Sequence, residues 1–333
     1  MSTQRGHSTN SRENGGAPLS VQPELDMTAT IQEAVATRPR RRASVRFRQW
    51  IGLVYVAPAV LLVLVFFVVP LGMTAWMSLH DWPLMGVSRY IGLDNYAAIL
   101  RDTRFWGALK FTAYYTVIVT IVIFAFAFPM ALFVERPRPL NGLYRTAFFM
   151  PVGVGFASAS LLWSWLLNVD AGLFSPAAYD LGLTAKRVNL LATFDPAFWS
   201  IIAMVVWKVA GFTMIILMTG LQSIPSELQE AAKMDGASAF SRLRLITLPL
   251  MRRTIALALI LSVAGSVLAF DQFYIILRGG PRNQTLTAVY WIFNQSFVSF
   301  KLGYGAALSM VLLVILVALS LIQLRLLRNP EDQ

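Results

Sequence analysis

The side chains best equipped for catalysis are scarce in this sequence. His7 and His80 are the only histidines and cysteine is absent, so a multi-histidine centre, a cysteine metal site and a disulfide framework all lack their groups. No Gly-x-x-x-x-Gly-Lys-Ser/Thr run is present to cradle the phosphates of a nucleotide. What stands out instead is a small set of polar residues inside long apolar runs: Lys208, Ser262, Ser266 and Asp271. Polar groups in such surroundings are costly and mark a solute path by default. Lys208 and Asp271 could pair across a bundle. Lys208 could equally snorkel or close a structural ion pair, and Asp271 could be a solvent contact at the end of its run. Ser262 and Ser266 are four apart and share one helix face. With Gly265 and Ala269 beside them, that face could also serve helix packing.

A second group sits in a polar stretch, 222–249, which reads from Ser223 as Ser-Ile-Pro-Ser-Glu-Leu-Gln-Glu-Ala-Ala-Lys-Met-Asp-Gly and continues to Ile246-Thr247-Leu248-Pro249. A short helix follows from the residue order. Ser226 as N-cap with Gln229 three residues on would form a capping box, and Pro225 resists extension backwards. Glu227 and Glu230 favour the positive end of the helix dipole. Gly236 can take a positive φ and stop the helix. A second helical stretch should begin near Ser238, with Pro249 marking the return to apolar sequence. Taken locally, the stretch could be an ordinary amphipathic loop.

These residues need a frame, and composition supplies it. Of 333 residues, 56% are hydrophobic and 14% charged, whereas soluble domains carry about 25% charged residues. Mean hydropathy is +0.60. Six stretches approach the roughly 20 apolar residues that cross a bilayer: 51–78, 109–134, 146–168, 197–221, 254–277 and 305–324. The net charge of +11 comes from basic residues flanking these runs, which argues for membrane topology and against nucleic acid. With the N-terminus inside, 18 Lys and Arg fall on the cytoplasmic side and nine outside. Both termini are therefore expected in the cytoplasm. Residues 1–49 are polar, then Arg-rich, and read as a disordered basic tail. The apolar run after Arg48 is too long for a signal peptide and reads as a retained first span. Residues 50–328 form the membrane domain, and 329–333 a short C-terminal tail. Trp76, Trp82, Trp106 and Trp199 near the ends of the runs suit interface anchoring.

Glu230, Ala231, Ala232, Gly236, Ile246, Leu248 and Pro249 fill every place of the pattern Glu-Ala-Ala, three residues, Gly, nine residues, Ile-x-Leu-Pro. The segment resembles the EAA loop of ABC importer permeases. Tyr90-Ile-Gly-Leu-Asp-Asn-Tyr96, Phe270-Asp-Gln-Phe-Tyr274 and Gly279-Gly280-Pro281 resemble the sugar-importer permeases of the maltose-transporter type. The resemblance covers most of 50–328. It implies an all-α, six-span inner-membrane permease of the type I ABC importer fold. Glu230, Ala231, Ala232, Asp235 and Gly236 would then couple the chain to an ATPase subunit. The implied partners are a second homologous permease, two ATPase subunits carrying ATP and Mg, and an extracytoplasmic sugar-binding protein. No cofactor is expected in this chain. Aligning the Leu-Pro and Gly-Gly-Pro landmarks puts family sugar-site positions at Trp207, Ser262 and Ser266. Rival readings are a permease for another solute such as glycerol phosphate or an amino acid, a membrane-embedded transferase, and a secondary transporter. The transferase would need a cluster of acidic or histidine residues at the interface, and a secondary transporter often shows inverted repeats.

Overall fold

The computed structural model describes residues 55–135 and 139–327. The tails expected at 1–49 and 329–333, and Arg136, Arg138 and Arg328 of the charge asymmetry, lie outside the described residues. The chain divides into two compact units, Met1–Val65 and Phe66–Gln333. In the first, the described residues are helical. The second carries the bundle.

Helix α1 (Tyr55–Ser78) is followed by a two-strand ladder, β1 (His80–Asp81) and β2 (Arg89–Tyr90), with His80 opposite Tyr90. This ladder is a small exception to the all-α expectation. Next come α2 (Asp94–Arg101) and α3 (Thr103–Glu135). Helix α4 (Asn141–Phe149) passes through a tight turn at Met150–Gly153 before α5 (Phe156–Leu166). Short α6 (Phe174–Asp180) and long α7 (Phe194–Gln222) follow. Then α8 (Ser226–Met234), α9 (Ala239–Leu250) and α10 (Arg252–Val267) run in sequence. Helix α11 (Ala288–Phe293) and α12 (Leu302–Leu327) complete the described chain.

Four helices, α1, α3, α7 and α12, are long and apolar enough to cross a membrane. Two further pairs qualify only as bent units: α4 with α5, which turn by 95°, and α9 with α10, which turn by 73°. The stretch expected to be continuous over 146–168 is therefore broken at Gly153–Gly155. The one expected over 254–277 ends its helix at Val267 and resumes as a wide turn at Phe273–Leu277. The carbonyl freed at Ala269 accepts the Thr287 hydroxyl at 2.9 Å, which supplies the bond that a continuous helix would have made internally.

Helices α3 and α7 form the longest packing seam. Toward the Thr103 end of α3 and the Phe194 end of α7, the rings of Phe111, Tyr115, Phe198 and Phe273 meet edge to face, with Tyr115 and Phe273 at 4.9 Å and 90°. Such geometry sets the positive edge of one ring on the negative face of another. The seam also needs a missing side chain. A Cβ on Gly211 of α7 would lie 2.0 Å from the Phe148 carbonyl oxygen, so α4 reaches α7 only because this position is glycine. Gly211→Val is expected to lower the thermal midpoint of the detergent-purified protein, at a cost of about 1–3 kcal/mol. An unchanged midpoint would show that the two helices are not held at this distance.

One carboxylate fastens the Thr103 end of the bundle. Oδ1 of Asp102 accepts the amides of Arg104 and Phe105, each at 3.0 Å, and so caps α3. Its Oδ2 accepts the Trp291 indole at 2.9 Å and the Tyr304 hydroxyl at 2.7 Å. The Arg104 guanidinium lies 5.7 Å from the centroid of the same indole. Burial pushes the Asp102 carboxyl up, but the four hydrogen bonds to its charged form prevail and hold it below its ordinary value of 3.8. A lowered folded value means stability that is complete above the ordinary carboxylate range and is lost as pH falls through the folded value. Scanning the thermal midpoint from pH 6 downward should therefore show a loss in the wild type that is shallower in Asp102→Asn. Parallel curves would remove Asp102 as the source.

Candidate substrate path and coupling loop

The bend between α4 and α5 leaves backbone carbonyls without helical partners halfway along the bundle. Lys208 on α7 meets two of them. Its ammonium donates to the carbonyls of Val152, at 3.4 Å, and Val154. The Phe156 ring centroid lies 4.6 Å away on another side. Lys208 is 5% exposed. It does not pair with Asp271, the partner suggested by the sequence; backbone carbonyls take that place because they are the unsatisfied acceptors within reach of α7.

This bend opens a cavity of about 450 Å³. Its wall is built from the bend itself, Tyr115 of α3, Lys208 of α7, Ser262 and Ser266 of α10, and Gln272. The Ser262 hydroxyl donates to Thr120 of α3 at 3.5 Å, and the Ser266 hydroxyl to the Ser262 carbonyl at 2.7 Å. The Gln272 amide donates to the Tyr115 hydroxyl at 3.3 Å. The serine face thus does both things its composition allows: it packs α10 on α3 and lines the cavity. Hydroxyl, amide and ammonium groups on an otherwise apolar wall can hold a polar solute.

Lys208, Ser262 and Ser266 are brought together here. Trp207 and Asp271 are not. Consecutive helical residues point about 100° apart, so Trp207 turns away from the cavity into a separate apolar groove with Phe126, Phe148 and Trp199. Its ring stands 6.0 Å from that of Trp163. Asp271, half-buried, lines neither the cavity nor the groove. Its neighbour Gln272 lines the cavity instead, because the helix break after Val267 rotates the residues beyond it. Tyr115, Thr120 and Gln272 were missed from the sequence. A glutamine inside an apolar run was the available signal; the α3 residues carried none beyond ordinary helix composition.

At the Glu135 end, α8 and α9 project from the bundle as two arms. Helix α8 starts at Ser226 after Pro225 and has no buried residue. The expected capping box does not form. Ser226 is the first helical residue, Pro225 takes the cap position, and no side chain caps the helix. Gln229 is thereby free to donate to Thr247 of α9 at 3.1 Å, which ties the arms together. Gly236 ends α8 at φ 75°, a conformation that glycine adopts without the clash a Cβ brings. Ser238 caps α9 by accepting the Ser241 amide at 3.1 Å, and Arg242 returns a bond to the Ala237 carbonyl at 2.6 Å. Glu230, Gln229 and Lys233 line a cleft of about 580 Å³ with Glu135, Arg242 and Thr247. Ala231, Asp235 and Gly236 lie exposed and Ala232 half-exposed along the arm. Among the described residues, no group of three or more His, Cys, Asp or Glu could hold a metal ion.

The comparisons with known proteins agree with this architecture. Residues 96–329 match the family described as "Binding-protein-dependent transport system inner membrane component". The trehalose/maltose transport system permease protein MalF of Thermococcus litoralis is 31% identical, over 85% of this chain and 95% of the relative. The sn-glycerol-3-phosphate transport system permease protein UgpA of Agrobacterium fabrum is 34% identical, over 81% and 92%. In fold, the chain is similar to one chain of a bacterial alginate ABC transporter crystallised with a periplasmic protein holding an alginate pentasaccharide, with TM-score 0.74 and 20% identity over 87% of this chain and 98% of that one. A bent-helix cavity and a projecting two-armed loop on a bundle matched along nearly its whole length leave one assignment: this chain belongs to the binding-protein-dependent transport system inner membrane components, the permease subunits of ABC importers.

Proposed function

We propose that this chain is a transmembrane permease subunit of an ATP-driven carbohydrate importer, one that forms half of the translocation path and couples it to a separate motor. The observation that carries the reading is the α8–α9 pair. Its first arm, α8, has no buried residue, turns sharply at Gly236 and is braced by Gln229 on the buried Thr247 of α9. A short rigid helix with no packing role of its own suits transmission of force from another polypeptide. Glu230, Ala231, Ala232, Asp235 and Gly236 form the docking arm, with the two alanines allowing close approach.

The wider assembly follows from the same reading. It comprises a second, homologous permease, two ATPase subunits that bind ATP and Mg, and an extracytoplasmic sugar-binding protein, with lipid around the bundle and no role for nucleic acid. Counting each bent pair as one span gives up to six, an even number that, with the Lys and Arg distribution, supports a cytoplasmic reading for both termini. Closing of the ATPase pair moves the docking arm and switches the cavity between inward and outward access. Carbohydrate is the favoured cargo, supported by the hydroxyl and amide groups of Ser262, Ser266 and Gln272 beside the Tyr115 ring, and by what the MalF relative is named for. A polyol phosphate is a second reading, favoured by the 34% identity to UgpA. Trp207 stays a candidate only for a cavity completed by the second permease, since its groove is distinct in this chain.

Two measurements test this. Gly236→Pro forces φ near −65° where the chain needs +75°. In proteoliposomes holding the whole assembly, it should cut the stimulation of ATP hydrolysis by substrate-loaded binding protein about tenfold or more, while the chain still inserts in the membrane. Full stimulation would refute the coupling role. Ser266→Leu places an isobutyl group in the cavity. It should lower uptake about tenfold with the subunits still copurifying; wild-type uptake kinetics would remove this cavity from the path.

A further inference from the structure

The carbohydrate-importer reading leaves the chemical class of the cargo open, and the cavity wall narrows it. Lys208 is the one charged side chain among the residues that line it. The other polar members, Tyr115, Ser262, Ser266 and Gln272, are neutral. An ammonium has three donors. Two are spent on the Val152 and Val154 carbonyls and the ring of Phe156 flanks the nitrogen. All three neighbours are uncharged. The third donor has no acceptor among the described residues, and no carboxylate lies within ion-pair distance of Lys208. A protonated Lys208 therefore gives the cavity a positive charge that is held in place and has no carboxylate beside it.

Charges attract more strongly where the effective dielectric is below that of water, so an anionic group entering this cavity is favoured over its neutral counterpart, and hydrogen bonds to charged groups are the stronger kind. We propose that Lys208 is a specificity-determining residue that selects solutes bearing an anionic group, a carboxylate or a phosphate, with the serine and glutamine side chains meeting their hydroxyls. This rests on the permease reading above and adds the charge of the cargo to it.

The test uses the full assembly in liposomes, with the wild type, Lys208→Met and Lys208→Arg each verified by copurification of the subunits. Three probes are offered: a digalacturonate, the matching neutral galactose disaccharide, and glycerol 3-phosphate. All three forms share one binding protein, so its own preference cancels when uptake by a variant is divided by uptake by the wild type. Expected is uptake of at least one anionic probe, a loss of about tenfold or more in Lys208→Met, and recovery in Lys208→Arg. Which anionic probe responds distinguishes a carboxylate from a phosphate. Uptake of the neutral disaccharide alone overturns the proposal but leaves the carbohydrate reading standing. Lysine-dependent uptake of glycerol 3-phosphate alone does the reverse. Equal losses for anionic and neutral probes in Lys208→Met, or no loss for an anionic probe, also overturn it, the first by showing a purely structural role.

Discussion

The ammonium of Lys208 on the carbonyls of Val152 and Val154 is the interaction around which the middle of this bundle is arranged. In an apolar setting, a helix can turn through 95° only if the backbone groups it releases find partners. Here a side chain from a neighbouring helix supplies them. That requirement presses α7 against the bend, and the close approach at Gly211, one turn further along, is part of the same contact. The cavity is a by-product of the turn: a straight helix would fill the space with side chains, whereas a bent one leaves a wall of exposed backbone and one fixed charge. Packing and the polarity of the cavity are thus set by a single defect in an otherwise regular helix.

The two ends of the bundle are held in opposite ways. At the Thr103 end, Asp102 gathers the starts of α3 and α12 and the indole of α11 into one hydrogen-bonded knot. At the Glu135 end nothing comparable buries α8; its bonds run to α9, not into the core. One end is tied into the bundle and the other leaves α8 without a buried residue, an asymmetry between the two ends.

Much of this could be read from the residue order, and the parts that could not have identifiable reasons. The four unbroken long helices announce themselves by apolar length alone. Gly236 signals its turn because few other residues adopt its φ. The bends do not announce themselves. Pro151, Gly153 and Gly155 are present at the first, but proline and glycine also occur inside straight membrane helices, so their presence does not decide the matter. The second break, at Leu268–Phe270, contains neither residue. It is made by the Thr287 hydroxyl, which comes from eighteen residues away and leaves no local trace. The capping box failed for a local reason: the helix begins one residue early, with Pro225 at the cap position and no N–H there for Gln229 to meet, so Gln229 turns to Thr247. Trp207 and Lys208 show the limit from another side. The landmark alignment marks Trp207 as a path residue and the cost of a charge in an apolar run marks Lys208, yet adjacent positions on a helix cannot share a face, and only Lys208 turns to the cavity.

Helix α3 is built as a beam. Its 33 residues extend about 50 Å at the usual helical rise, against roughly 30 Å of hydrocarbon. It must lean or protrude, and it joins the Asp102 knot to the edge of the cleft beneath the docking arm. Pro129 interrupts it near the Glu135 end, withholding the backbone bond that would have gone to Ala125. The beam is therefore stiff along most of its length and yields close to its Glu135 end, so a small tilt imposed there can be absorbed without loosening the anchored end.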